Sequence, residues 1–322
     1  MIMAGKRNTT ENSRKHLCSF LSWCLLVFLL VGSTAHAAEP WIELEPGLNL
    51  ASFPAYIPSG PDDAYLQKDA ITVLRIQPDK FEFVLLTSSE KGTQLTPAQW
   101  AEHNGLTAVI NASMYLPDNR TSTGYLRNGD HINNGYVNKR FGSFFVASPV
   151  ENVADNTTNS TLPTGSRTAP QSNATLQTNS TAQPTPLPLA AILDKQADDW
   201  ERLIKHYRIV VQNFRMINAA RVPLWPEDGD AFSIAAVAMN DTQDILFIHC
   251  RPPLTVRQLT DSLLELPLGI VRAMYVEGGP QASLHIRTGS MRKTWSGRHA
   301  SDFWSGAQTE WMLPNILGIR RR

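Results

Sequence analysis

The sequence predicts an α+β domain built on a mixed, strand-rich sheet with a few packed helices. Three observations lead there. Apolar runs of strand length recur along the chain, Ile270–Val276 being the clearest. Helical signals are few and far apart, and strands and helices do not alternate in the βαβ rhythm of a doubly wound fold.

The N-terminus reads as an export signal. Lys6, Arg7, Arg14 and Lys15 precede an apolar run from Leu17 to Val31, and Ala35-His36-Ala37 follows as a small-x-small cleavage site. The run is shorter than the ~20 residues a spanning helix needs. Cleavage after Ala37 is therefore expected, with no stable membrane anchor left and an extracytoplasmic location, periplasmic or secreted. Trp23 before Cys24 is too bulky for a lipoprotein processing site.

Removing residues 1–37 takes four of the 29 basic and one of the 29 acidic side chains, leaving 25 against 28. A balance of about −3 gives no electrostatic reason to expect nucleic acid or an anionic membrane as partner. Cys18 and Cys24 leave with the signal, so Cys250 has no internal disulfide partner. It sits at the end of the apolar run Ile245–Cys250 and reads as core packing rather than as a nucleophile.

The rest follows in order. Ile71–Ile76 and Phe81–Leu86 flank Gln77-Pro78-Asp79-Lys80, a turn composition, and suggest a hairpin. Thr96-Pro97 places an N-cap residue before a proline at the first helical position and opens a helix through His103. Leu106–Ile110 is a strand ending at Asn111. Residues 151–188 are Asn, Thr, Ser, Pro, Gln and Ala with almost no large apolar side chain, so burial cannot offset their ordering entropy. They read as a disordered insert inside one domain of residues 38–322. The sequons at Asn156, Asn159, Asn173 and Asn179 are what such a composition produces by chance.

Asp194–Tyr207 reads as a helix with Trp200, Leu203, Ile204 and Tyr207 on one face. Ile209–Val211, Ser233–Met239 and Ile245–His249 read as strands. Thr255–Leu266 is the clearest helix: Thr255 and Gln258 can form a capping box, Val256, Leu259, Leu263 and Leu264 make the stripe, and Pro267 stops it.

Three polar clusters sit at strand ends. The first is Asn111-Ala112-Ser113-Met114-Tyr115 with Asp118, then Gly124-Tyr125-Leu126 and Asn128-Gly129-Asp130. The second is Gln212-Asn213, and the third is Glu277-Gly278-Gly279. If the three ends meet on one side of a sheet they form a polar pocket, with the glycines allowing the backbone close to a ligand. If they do not, each is an ordinary strand end or turn. Spacing leaves both readings open.

The order of these pieces resembles the phosphodiester glycosidase domain family, an uncovering-enzyme-like group with many exported bacterial members. Asn111–Tyr115 with Asp118 matches its Asn-Ala/Gly-Gly-x-Phe/Tyr motif, and Gly124–Gly129 matches its Gly-Leu/Tyr…Asn/Asp-Gly segment. Gly142-Ser143-Phe144-Phe145 matches its Gly-x-Phe-Phe strand, Gln212–Ile217 approximates its Gln-x-x-Pro-x-Leu/Ile segment, and Val276-Glu277-Gly278-Gly279 matches its Leu-Asp-Gly-Gly. Three departures stand out. Glu277 replaces the usual aspartate, Arg215 replaces a proline, and Ser233-Ile234-Ala235-Ala236 stands where many relatives have Ser-Arg-Thr-Ala.

The resemblance implies hydrolysis of a glycosidic bond to a phosphodiester-linked or related sugar, with a carbohydrate or sugar-phosphodiester as ligand. Glycoside cleavage normally uses a carboxyl pair, but a phosphate leaving group lowers that demand. Glu277 is then the carboxylate that acts as base or stabilises the transition state, with Asp118 or Asp130 as a second candidate. Asn111 and Gln212 would orient hydroxyls and water. Tyr115, Gly124, Asp130, Gly278 and Gly279 would line the substrate, and Arg127 and Arg215 are candidate phosphate contacts or plain surface arginines. No cofactor is implied. A rival reading is an inactive glycan-binding or accessory protein of the same fold; another is a divalent-cation site on Asp118, Asp130, His131 and Glu277.

Overall fold

Alternating residues on long strands leave two faces to cover, and the protein covers one with a second sheet and the other with helices. The computed structural model describes residues 40–60, 63–150, 186–298 and 310–322. The predicted signal peptide and nearly all of the predicted insert lie outside the described residues. No described helix is long and apolar enough to cross a membrane.

The larger sheet holds β1 (Ile42–Glu45), β2 (Leu48–Gly60), β3 (Asp63–Ile76), β6 (Leu126–Asn128), β7 (His131–Asn134), β8 (Ser143–Pro149), β9 (Ala190–Asp194), β10 (Tyr207–Ile217), β11 (Phe232–Asn240), β12 (Ile245–Leu254) and β13 (Ile270–Gly278). Its order is β1-β2-β3-β12-β11-β13-β10-β6-β7, with β8 pairing β10 and β9. The smaller sheet contains β4 (Phe81–Thr87), β5 (Ala108–Asn111), β14 (Ser283–Arg287), β15 (Arg292–Ser296) and β16 (Asn315–Arg321), in the order β15-β14-β5-β16-β4. Among the described strands every pairing is antiparallel, which corrects the expectation of a mixed sheet. Parallel neighbours need crossover connections of helical length; the strand β11 instead runs to β12 through the short link 241–244.

Between the sheets lies a core that draws Leu74, Phe145, Val237 and Phe247 from the larger sheet and Phe83, Leu284 and Leu317 from the smaller. The helix Val256–Glu265 covers the outer face of the larger sheet with Val256, Leu259 and Leu263. Its predicted Thr255–Gln258 capping box is formed, satisfying two N-terminal N–H groups. The helix Pro97–His103 covers the smaller sheet with Trp100 and Ala101, and Trp100 Nε1 donates to the Leu313 carbonyl at 2.9 Å. Cys250 is wholly buried, as its apolar setting predicts, and burial drives its thiol pKa up.

Two local expectations are corrected. Ile71–Ile76 and Phe81–Leu86 do not pair as a hairpin: β3 bonds to β2 and β12, while β4 bonds to β16. Gln77–Lys80 is a turn, with Lys80 N–H on the Gln77 carbonyl at 3.1 Å, but it carries the chain from one sheet to the other. Residues 194–207 are not one helix. Asp194 closes β9, whose ladder with β8 wins over helical periodicity, and only Trp200–Leu203 and the 3₁₀ turn Ile204–His206 are helical. Trp200 covers the sheet by stacking on Phe144, ring centroids 5.0 Å apart.

Candidate active site

Glu277 sits at the end of β13, where the ladder with β11 is irregular. Ala235 pairs with Glu277 and Ala236 with Tyr275, so Val276 is an extra residue on β13. A bulge of this kind re-aims the side chains beside it. Glu277 is 7 % exposed, and the hydrogen bond its carboxyl receives is from the adjacent Gly278 N–H, 3.0 Å from Oε1. Burial pushes its pKa up to about 8, against the one N–H that favours the anion. At neutral pH this carboxyl is mainly protonated. Tyr115 and Tyr275 titrate above the ordinary tyrosine range, first through burial and then through the Glu277 charge, which places both rings in its field.

The turn after Glu277 is fixed from the other sheet. Gly278 packs so closely on Tyr275 and Phe232 that a Cβ would overlap the Tyr275 hydroxyl and lie 2.7 Å from the Phe232 ring. Gly279 has φ +67°, a left-handed turn conformation. Asn111, buried at the end of β5, donates from Nδ2 to the Gln281 carbonyl at 3.0 Å and accepts the Ser283 N–H on Oδ1 at 2.8 Å. Its amide is thus committed to the backbone that leads from the turn into β14.

Gln212 is the same kind of device on a larger scale. It is fully buried, and its Oε1 accepts the N–H groups of Tyr125 (3.2 Å) and Asn138 (2.8 Å). Its Nε2 donates to the carbonyls of Asn138 (2.8 Å) and Phe141 (3.1 Å). Gly124 lies against it: a Cβ there would be 2.7 Å from the Phe141 ring and 2.8 Å from the Gln212 carbonyl. The neighbouring amide is less committed. Asn213 donates to the Ala112 carbonyl at 2.8 Å, while its Oδ1 is buried without a partner. The Phe214–Tyr275 pair puts Asn213, one residue on, at the level of Val276 and Glu277. The Ser113 hydroxyl is also buried and unpartnered. Asn213, which lies within β10 rather than at its end as the sequence suggested, is thus brought beside the ends of β5 and β13, where Ser113, Tyr115 and Glu277 stand. A cleft of about 300 Å³, lined in part by Tyr115, Gln281, Trp311 and Met312, opens beside them.

Other predicted site residues stand elsewhere. Asp118 is exposed and caps a turn: its carboxylate accepts the N–H groups of Arg120 and Thr121 and the Thr121 hydroxyl at 2.6 Å. That hydroxyl and the two N–H groups hold its pKa below the usual range. Asp130 is exposed at the β6–β7 turn, and His131 Nε2 lies 2.9 Å from the Ser89 hydroxyl. Among the described residues no group of three or more His, Cys, Asp and Glu side chains comes together to hold a metal ion. Arg127 donates to the carbonyls of Ile204 and Tyr207, at 2.7 and 2.8 Å. Arg215 is ion-paired with buried Asp194, and Ile234 lies in the apolar core. Arg127 spends Nη2 and Arg215 Nη1 on these partners, while the Nε of each is buried without one.

The profile of the phosphodiester glycosidase family matches residues 104–320, about two thirds of the chain. The chain belongs to the phosphodiester glycosidase family. The catalytic domain of zebrafish N-acetylglucosamine-1-phosphodiester alpha-N-acetylglucosaminidase, solved auto-inhibited by its pro-peptide, superposes with a TM-score of 0.55 at 9% identity, covering 90% of this chain and 87% of that one. A hypothetical protein from Synechocystis superposes with a TM-score of 0.51 at 12% identity, covering 89% of this chain and 64% of that one. At these identities the likeness is one of fold. A search of the curated proteins finds no match.

In this phosphodiester glycosidase fold Asn111 holds the backbone that follows the Glu277 turn, whereas Gln212 lies within β10 and holds the 125–141 loop. Three residues that sequence reading missed also gather here. His249 is buried on β12 with Nε2 3.1 Å from the Ala282 carbonyl. Arg251 and Arg298 approach the Gly278–Gly279 turn from β12 and from beyond β15. No periodicity or motif marks them, because strand pairing alone brings them together.

Proposed function

We propose that the protein is an exported glycosidase that hydrolyses the bond between a sugar and a phosphodiester-linked group, with Glu277 as its proton-transferring residue. The observation that carries this reading is the state of Glu277: a carboxyl near two tyrosines, buried and mainly protonated near neutrality, at a bulged strand end followed by two glycines. A carboxyl with a raised pKa is suited to general acid catalysis at neutral pH.

In the proposed reaction the bond from the anomeric carbon to the phosphate oxygen breaks, and Glu277 gives its proton to that leaving oxygen. Water attacks the oxocarbenium-like carbon from solution and returns a proton to the Glu277 carboxylate. One carboxyl serves both steps because phosphate departs readily, which relaxes the usual demand for a pair. In this reading Asn213 Oδ1 and the Ser113 hydroxyl, both buried and without a partner, are the groups proposed to meet sugar hydroxyls once substrate enters. Asn111 and Gln212 are positioning residues, one holding the 281–283 backbone and the other the 125–141 loop.

The test is an assay of the mature protein on a panel of glycosyl phosphodiesters and aryl glycosides. Turnover of the phosphodiesters above the aryl glycosides is expected. Binding of glycans without turnover of any panel member would replace this reading with that of an accessory protein.

A further inference from the structure

We propose that Arg251 and Arg298 form an oxyanion-binding site beside the Gly278–Gly279 turn, and that its ligand is a phosphate-class group. That this group is the phosphodiester of a substrate rests on the hydrolase reading above; the existence of the site does not.

One hydroxyl holds the two arginines together. Ser233 Oγ accepts the backbone N–H of Arg298 at 3.0 Å and donates to the carbonyl of Arg251. Gly297, just before Arg298, lies directly on the turn: its N–H reaches the Ala282 carbonyl at 2.7 Å, and a Cβ there would overlap the Gly279 carbonyl oxygen. Arg298 therefore enters from β15 over the same turn that follows Glu277.

Among the described residues the guanidinium groups have no anionic partner. Arg251 Nε and Nη2 and Arg298 Nε are buried with no hydrogen bond. Arg127 and Arg215 also keep a buried, unpartnered Nε, but Arg127 donates from Nη2 to two carbonyls and Arg215 is paired with Asp194; Arg272 is paired with Asp198 and Arg257 with Asp261. Among the described residues no carboxylate forms an ion pair with Arg251 or Arg298. Burial and then the like charge of Arg298 lower the Arg251 pKa. His249, two residues before Arg251, adds no negative charge; it is wholly buried, with Nδ1 unpartnered.

Two part-buried cations that repel each other and keep buried N–H donors unused are costly unless something answers both. An oxyanion does so, because a guanidinium presents parallel donors to two oxygens at once. The placement suits one ligand spanning both features. Ala235 on β11 pairs with His249 on one side and Glu277 on the other, so His249 and Glu277 flank β11 at two strand spacings, on the order of 10 Å, and Arg251 follows two residues further along β12, just past the Ile234–Cys250 pair.

The experiment is titration of the mature protein with inorganic phosphate, followed by calorimetry and by melting temperature at fixed ionic strength, for the wild type, Arg251→Met, Arg298→Gln and the double variant. Both Ser233 bonds are to backbone atoms, so the substitutions leave them in place. Saturable phosphate binding is expected in the wild type, weakened at least tenfold in each single variant and lost in the double variant. Without phosphate, Arg251→Met should melt above the wild type, since the like-charge contact is gone. No saturable binding in the wild type, or equal affinity in the double variant, would overturn the site. Phosphate binding through these arginines with no turnover of any glycosyl phosphodiester keeps the site and removes the hydrolase reading. Turnover with an unchanged KM in the double variant does the reverse.

Discussion

Asn111 Oδ1 accepts the Ser283 N–H at 2.8 Å, joining the end of β5 to the start of β14 across 172 residues of sequence. The same amide donates to the Gln281 carbonyl, so one side chain sets the backbone that leaves the Glu277-Gly278-Gly279 turn. Asn111→Ala should cost about 1–3 kcal/mol, because two buried backbone groups lose their partner. Asn111→Asp keeps the acceptor for Ser283 and loses the donor to Gln281. Chemical denaturation should place its stability between Ala and wild type, and kcat should fall more than KM rises in both variants.

Gln212 makes four hydrogen bonds to the 125–141 loop, at about 0.5–1.5 kcal/mol each. Gln212→Ala should therefore lose several kcal/mol of stability, seen as a lower denaturation midpoint. If Gln212 instead touched substrate, the loss would appear in KM with stability near wild type.

Gly278 is bounded by the Tyr275 hydroxyl and the Phe232 ring. Gly278→Ala should destabilise by about 1–3 kcal/mol through overpacking. Tyr275→Phe, which removes the overlapping oxygen, should recover part of that loss in the double variant. Additive losses in thermal melts would contradict the packing described.

The raised Glu277 pKa has a signed consequence. The folded carboxyl titrates at about 8 and the free one at 4.5, so between these values the folded protein keeps a proton that the unfolded chain has released. Its contribution is complete below about pH 4.5 and is lost as pH rises through 8. Glu277→Gln has no such titration, so its unfolding free energy should exceed that of the wild type by a margin that opens between pH 5 and 9, reaching a few kcal/mol, and its melting temperature should rise with it. His249, held down to about 4 by burial, works the other way, losing stability as pH falls from 6.5 through 4. It is common to both proteins and cancels in the difference.

Much of this was legible in the sequence where signals are local. Thr96-Pro97 and Thr255/Gln258 mark the helix starts because capping is decided within four residues. Glu277 was visible as a carboxylate ending an apolar strand before two glycines. What long-range pairing decides was not legible. Phe81–Leu86 has the pattern of a hairpin partner for Ile71–Ile76 but pairs with β16, more than 200 residues away. Arg215 had the residue type of a phosphate contact, yet its partner is Asp194, supplied by a strand that read as the start of a helix. Gln212 and Asn213 were indistinguishable as a strand-end amide pair. Alternation on the strand sends one into the loop scaffold and leaves the other with an unpartnered oxygen near Glu277.

The central claim is that Glu277 transfers the proton, and the most direct measurement is the single-turnover rate of glycosyl phosphodiester hydrolysis by Glu277→Gln against the wild type at pH 7. The amide keeps the shape and has no proton to exchange, so the rate should fall by ~10²–10⁴-fold while the melting temperature stays at or above that of the wild type. Glu277→Asp, which keeps the carboxyl and shortens its reach, should retain measurable activity. A Glu277→Gln rate equal to that of the wild type would contradict the assignment.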